Sequence, residues 1–118
     1  MGEILLIEDD DDIRQDLAEL LREEGFEVKT ALHGAEALRW MREGARPRLI
    51  LLDLMMPIMD GWQFRQEQLR DPQLSAVPVL LLSGAGEVAQ HAADLQAAGY
   101  ITKPIRFERL LGAIAACG

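Results

Sequence analysis

Cysteine occurs once in the 118 residues, as Cys117, so no internal disulfide staples this fold, and such usage suits a reducing cytoplasm. Basic residues are outnumbered, 12 Lys and Arg against 20 Asp and Glu, for a net charge of -8. A nucleic-acid backbone would repel such a chain, which argues against direct nucleic-acid binding. Long apolar runs are missing too: none approaches the roughly 18 residues of a membrane span, and no signal peptide opens the chain. A cytoplasmic location and no membrane partner are expected on that ground. Repeats, low-complexity tracts and linker-like stretches are also lacking. What remains is 49% hydrophobic and 27% charged, the make-up of one globular domain large enough for a real core.

Three short, wholly apolar runs stand out: "ILLI" (Ile4 to Ile7), "LILL" (Leu49 to Leu52) and "VLLL" (Val79 to Leu82). Runs of this kind suit central strands covered on both faces, as in a parallel sheet. "FEVKT" (Phe26 to Thr30) alternates and reads as a more exposed strand, and "YIT" (Tyr100 to Thr102) is a short fifth candidate. Helical periods lie between them. Ile13, Leu17, Leu20 and Leu21 share one face before Gly25, and Ala35, Leu38 and Met41 form a stripe ended by Gly44 and Pro47. A third helix is expected over Trp62 to Leu69 and a fourth over Glu87 to Gln96. A fifth carries Phe107, Leu110, Leu111 and Ile114. Five βα units in a row imply an α/β, flavodoxin-like, doubly wound (βα)5 fold. Its five-stranded parallel sheet takes the order 2-1-3-4-5, with helices on both faces.

In such sheets, sites form beyond the carboxyl ends of the strands. The polar groups that follow the runs are Glu8 and Asp9, Asp53, Ser83 and Lys103. Four segments thus deliver three carboxylates, a hydroxyl and an ammonium to one edge. Two unit charges about 4 Å apart repel by roughly 4 kcal/mol at an effective dielectric near 20, so the carboxylates must protonate or recruit a cation. Lys103 reduces their combined -3 to -2, which matches one divalent ion. All-oxygen donors favour Mg2+, and the lack of His and Cys in these segments argues against zinc. A phosphoryl group would engage the whole set: Mg2+ and Lys103 on its oxygens, Ser83 on another, and a carboxylate as nucleophile.

The stretches "ILLIEDDDDIR", "LILLDLMMPIMDG", "VLLLSG" and "YITKP" resemble the receiver (phosphoacceptor) domain of two-component response regulators, from Ile4 to about Ile114. The resemblance implies that Asp53 takes a phosphoryl group from a histidine kinase or histidine phosphotransfer protein. It also implies that Asp9 and Asp53 ligate Mg2+ directly, that the Met55 backbone carbonyl supplies another ligand, and that Glu8 acts through water. Ser83 matches the switch hydroxyl, Lys103 the lysine before a proline (Pro104, often preceded by a cis peptide), and Tyr100 the aromatic switch position. Such a protein is not an enzyme on other molecules; it catalyses only its own phosphorylation and dephosphorylation. Residues 1–118 read as a single receiver domain with no output domain, either stand-alone or excised. The downstream effector stays unknown, and a homodimer is compatible with this reading.

Alternatives differ in what they need. A haloacid-dehalogenase-like phosphatase wants a second Asp two residues after its nucleophile, where Met55 stands. A flavodoxin-like nucleotide binder wants a phosphate-cradling loop after the first strand, where "EDDDD" would repel the phosphate. A degenerate receiver serving only as a docking module would not need all five polar groups. Two positions after Asp53 and Ser83 stand Met55 and Ala85, neither of which holds a water firmly, so a long-lived phosphorylated form is expected. His33 and His91 are expected in a loop and a polar helix, and Asp10 to Asp12 as helix-capping acids. The interval from Ser83 to Lys103 is shorter than usual in the family. An altered segment is therefore expected near "LQAAGY".

Overall fold

The computed structural model describes residues 3–54, 60–84 and 88–117. Five strands, β1 (Ile4–Ile7), β2 (Val28–Ala31), β3 (Leu49–Asp53), β4 (Val79–Ser83) and β5 (Gly99–Thr102), alternate with five helices. The helices are α1 (Asp11–Glu23), α2 (Gly34–Arg42), α3 (Gly61–Arg70), α4 (Val88–Asp94) and α5 (Phe107–Cys117). The strands form one sheet in the order β2-β1-β3-β4-β5, every neighbouring pair parallel, as the alternating pattern requires.

The apolar runs are explained by which face each residue serves. Successive side chains in a strand point to opposite faces. Leu5, Ile7, Ile50, Leu52, Val79 and Leu81 face one cluster, with Leu38 and Met41 of α2, Phe64 of α3 and Ala92 of α4. Ile4, Leu6, Leu49, Leu51, Leu80 and Leu82 face the other, with Leu17 and Leu21 of α1 and Leu110 and Ile114 of α5. Both faces of β1, β3 and β4 are therefore dry, and all their residues are buried. Each leucine or isoleucine so buried contributes roughly 1.5–3 kcal/mol relative to exposure. The edge strands β2 and β5 are covered less completely, and their burial is mixed.

Helix ends follow local chemistry. Asp10 caps α1, its side chain accepting from Ile13 N–H at 3.0 Å. At the other end Gly25 takes φ +94°, Gly25 N–H donates to Arg22 O at 3.0 Å and Phe26 N–H to Leu21 O at 3.1 Å. This is a Schellman stop, which glycine adopts without a Cβ penalty. Leu20, expected on the buried face of α1, is 38% exposed; the core stripe is Leu17, Ala18 and Leu21. His33 is not a plain loop residue. It caps α2, its Nδ1 accepting from Glu36 N–H at 3.2 Å.

The fourth helix ends two residues earlier than its sequence pattern suggests. Gln96 takes φ +55°, and Gln96 N–H and Ala97 N–H donate to Ala93 O (3.2 Å) and Ala92 O (2.9 Å). A left-handed stop is thus built on a glutamine, without the glycine that would have announced it. Its support comes from α3. Arg65, 4% exposed, donates through Nε to Leu95 O (2.9 Å) and through Nη2 to Gln96 O (2.9 Å).

Candidate functional site

All five strands point the same way, so their carboxyl ends share one edge, and the polar residues that follow them converge there. Glu8 leaves β1, Asp53 and Ser83 close the neighbouring strands β3 and β4, and Lys103 follows β5. Lys103 Nζ lies 3.1 Å from Glu8 Oε1 and 3.4 Å from Asp53 Oδ1. Its backbone N–H donates to Ser83 O at 2.9 Å, which ties the ends of β4 and β5 together. The Lys103–Pro104 peptide bond is cis.

Asp53 is 3% exposed, yet it faces an ammonium and forms one corner of a trio with Glu8 and Asp9, whose ligand oxygens lie within 4.8 Å of one another. Glu8 is 1% exposed and Asp9 is open to solvent. Burial first, then the hydrogen bond and charge of Asp53, push the Glu8 carboxyl up from 4.5 to about 7, against the opposing pull of Lys103. Burial alone would favour neutral Lys103, but the charges and hydrogen bonds of Asp53 and Glu8 outweigh it and raise its pKa.

An all-oxygen trio with one solvent-open member fits Mg2+, which keeps several waters and takes one or two carboxylates. Ser83 is fully buried at the end of β4. Tyr100 is not part of the cluster: it is 45% exposed on the edge strand, in register with Leu81 rather than with the strand end. Met55, Ala85 and the expected helix start at Glu87 lie outside the described residues.

Three further residues, Gly61, Arg14 and Trp62, lie around the site, and of these Arg14 was not singled out from sequence. Gly61 passes against the far side of Asp53: its N–H donates to Leu54 O at 3.0 Å, and a Cβ there would overlap backbone. The start of α3 that carries it is fixed by Asp60, which forms a capping box with Gln63. Arg14 donates through Nη1 to the carbonyl oxygens of Glu8 (3.0 Å) and Asp9 (3.4 Å). Its sequence signal is a cation in the first turn of a helix, where acids are favoured. One residue past Gly61, Trp62 meets His91 of α4 edge-on, ring centroids 4.7 Å apart.

Comparison with known proteins agrees with the geometry. The family model for the response regulator receiver domain matches residues 4–115. The transcriptional regulatory protein PrrA of Mycobacterium leprae is 39% identical over 115 residues, covering 96% of this chain and 48% of that protein. AfsQ1 of Streptomyces coelicolor, also a transcriptional regulatory protein, is 37% identical over 108 residues, covering 90% of this chain and 46% of that protein. The chain thus spans about half the length of the curated relatives it matches. Among solved structures, the chemotaxis protein CheY4 of Vibrio cholerae has a TM-score of 0.90 at 32% identity, covering 100% of this chain and 99% of that one. The response regulator TrrA of Thermotoga maritima, solved in complex with Mg2+-BeF, has a TM-score of 0.87 at 29% identity, covering 100% of both chains. No helix among the described residues is long and apolar enough to cross a membrane. With fold, strand-end chemistry and relatives in accord, the chain belongs to the response regulator receiver domains of two-component systems.

Proposed function

We propose that this chain is a Mg2+-dependent phosphoryl-accepting switch in which Asp53 is the acceptor. The observation that carries the reading is the Lys103 ammonium 3.4 Å from Asp53 Oδ1, with the Glu8 and Asp9 carboxylates grouped on the same residue. Mg2+ would be held by Asp9 and Asp53 with Glu8 acting through water, and when bound it supplies positive charge for the transferring phosphoryl oxygens. Asp53 attacks phosphorus as the bond to the donor, a phosphohistidine of a kinase or phosphotransfer protein, breaks. The histidine takes a proton on leaving, and Asp53 becomes an acyl phosphate. Lys103 places its charge on the phosphoryl oxygens, and Ser83 supplies a hydroxyl to one of them.

The state of Asp53 is then relayed through Ser83 and Tyr100 to the face of α4, β5 and α5. Such a relay biases an existing equilibrium, with a coupling of typically about 1–3 kcal/mol. That the half-covered relatives are transcriptional regulatory proteins supports a downstream effector in the same kind of pathway.

Incubation with acetyl phosphate and Mg2+ should add one phosphoryl group, seen as an acid-stable, base-labile mass increment. Asp53→Asn, which keeps the shape and removes the nucleophile, should abolish it. Undiminished labelling of Asp53→Asn would overturn the assignment.

A further inference from the structure

Arg14 is 9% exposed in the first turn of α1, surrounded by acids, yet its described hydrogen bonds reach neither the Glu8 nor the Asp9 carboxylate. One arm of the guanidinium bridges the main-chain carbonyls of Glu8 and Asp9, and the other pairs with the Asp11 carboxylate. A cation placed this way does two things with opposite consequences for a nearby divalent ion. Its charge repels the ion. Its Nη1 also fixes the peptide groups from which two ligands project, while Nη2 anchors the guanidinium on Asp11.

The second effect should win. The pair with Asp11 offsets the charge of Arg14, while the restraint acts where it is most needed. Residues 8–10 lie between β1 and α1, and Asp9 is solvent-exposed. Mutual repulsion of Glu8, Asp9 and Asp53 would splay this segment in the absence of a cation. Glu8 has other ties, its N–H to Ala31 O (3.1 Å), Lys103 Nζ to its Oε1 (3.1 Å) and Asp10 N–H to its Oε2 (3.3 Å). Asp10 accepts from Ile13 N–H at Oδ1 (3.0 Å) and from Arg14 N–H at its carbonyl oxygen (2.9 Å). Among the described hydrogen bonds, Asp9 is held by Arg14.

We propose that Arg14 is a positioning residue for the acidic site, holding the main chain of Glu8 and Asp9 so that their carboxylates converge on Asp53 and the affinity for Mg2+ rises. The inference deepens the reading of a Mg2+-dependent switch and rests on it.

The test compares the parent protein with Arg14→Met and Arg14→Lys. Both variants should bind Mg2+ about 10-fold more weakly by calorimetric titration, the usual scale for a residue that orients a ligand from behind. Lysine should not rescue, because a shorter side chain ending in one nitrogen cannot hold both carbonyls and the Asp11 carboxylate from the positions that Arg14 Nη1 and Nη2 occupy. At saturating Mg2+ the labelling rate with acetyl phosphate should return close to that of the parent, which a generally damaged fold would not do. With Mg2+ chelated, amide exchange at Asp10 and Ile13 should be faster in both variants. Tighter Mg2+ binding by Arg14→Met, with parent-like binding by Arg14→Lys, would show that charge outweighs restraint and overturn the proposal. So would unchanged exchange at Asp10 and Ile13 in the chelated protein. A parent that fails to bind Mg2+ at all would sink the underlying reading, and that titration stands apart from the comparison of variants.

Discussion

A Cβ added at Gly61 would lie 2.8 Å from the carbonyl oxygen of Asp53 and 2.8 Å from Leu54 Cα, both backbone atoms that no side-chain rotation can move aside. At the residue scale this ties the acceptor to the start of α3. The Asp60-Gly61 pair reads in the sequence as a turn signal, and Asp60 caps α3, but the need for glycine comes from the backbone it passes. Gly61→Ala should therefore cost about 2 kcal/mol of stability, in the range for overpacking a tight contact. It should also lower the initial rate of labelling by acetyl phosphate at saturating Mg2+, since Asp53 must shift to make room. Chemical denaturation and a labelling time course measure the two effects. Parent-like stability with a parent-like rate would mean that the contact relaxes freely.

At the scale of elements, the C-terminal end of α4 is held from α3. Arg65 joins the carbonyls of Leu95 and Gln96 and also donates to Gln68 Oε1 at 2.7 Å. Gln68 in turn donates to Leu74 O (3.0 Å) and Val77 O (2.9 Å), so one buried chain links the end of α4 to the approach to β4. Burial lowers the Arg65 pKa, yet a guanidinium starts so high that it remains charged at any ordinary pH. Arg65→Met would leave those acceptors without their donor, and about 3 kcal/mol of stability should be lost. Amide exchange should quicken at Gln96 and Ala97, whose bonds close the left-handed turn. A change below about 0.5 kcal/mol, as for an ordinary surface substitution, would show that the network is dispensable.

For the whole molecule, the metal-free fold carries its acidic site at a cost that depends on pH. Glu8 titrates at 4.5 in the unfolded chain and at about 7 in the fold. Between those values the folded state binds more protons at Glu8 than the unfolded, so the contribution of Glu8 to stability is full below 4.5 and is lost as pH rises through 7. The general excess of acids in a chain of net charge -8 works in the same direction, so the slope alone does not identify Glu8. Glu8→Gln separates the two. In EDTA its melting temperature should decline less from pH 5 to pH 7 than that of the parent. Mg2+ should stabilise the parent more at the upper end of the window, because deprotonated Glu8 adds its charge to the site that holds the ion. Identical slopes for parent and Glu8→Gln in EDTA would contradict the raised pKa.

Much of this architecture is legible in one dimension. Continuous apolar runs at β1, β3 and β4 report burial on both faces, and the alternation of runs with helical periods leaves a parallel sheet as the natural arrangement. Once every strand points the same way, the convergence of Glu8, Asp9, Asp53, Ser83 and Lys103 follows from their places just after the strands. These features depend on local period and on a topological rule, which a sequence displays directly. The tertiary structure alone decided matters that depend on distant backbone. Gln96 ends α4 because a guanidinium some 30 residues away receives its carbonyl. Leu20 stays exposed because the core stripe turns through Leu17 and Leu21. Arg14 reaches carbonyls that any sequence would supply, and Gly61 is required by a strand it does not belong to. Main-chain carbonyls are the same for every residue type, and the space open at a position is set by whatever packs against it, so the sequence carries no mark of either until packing brings them within reach.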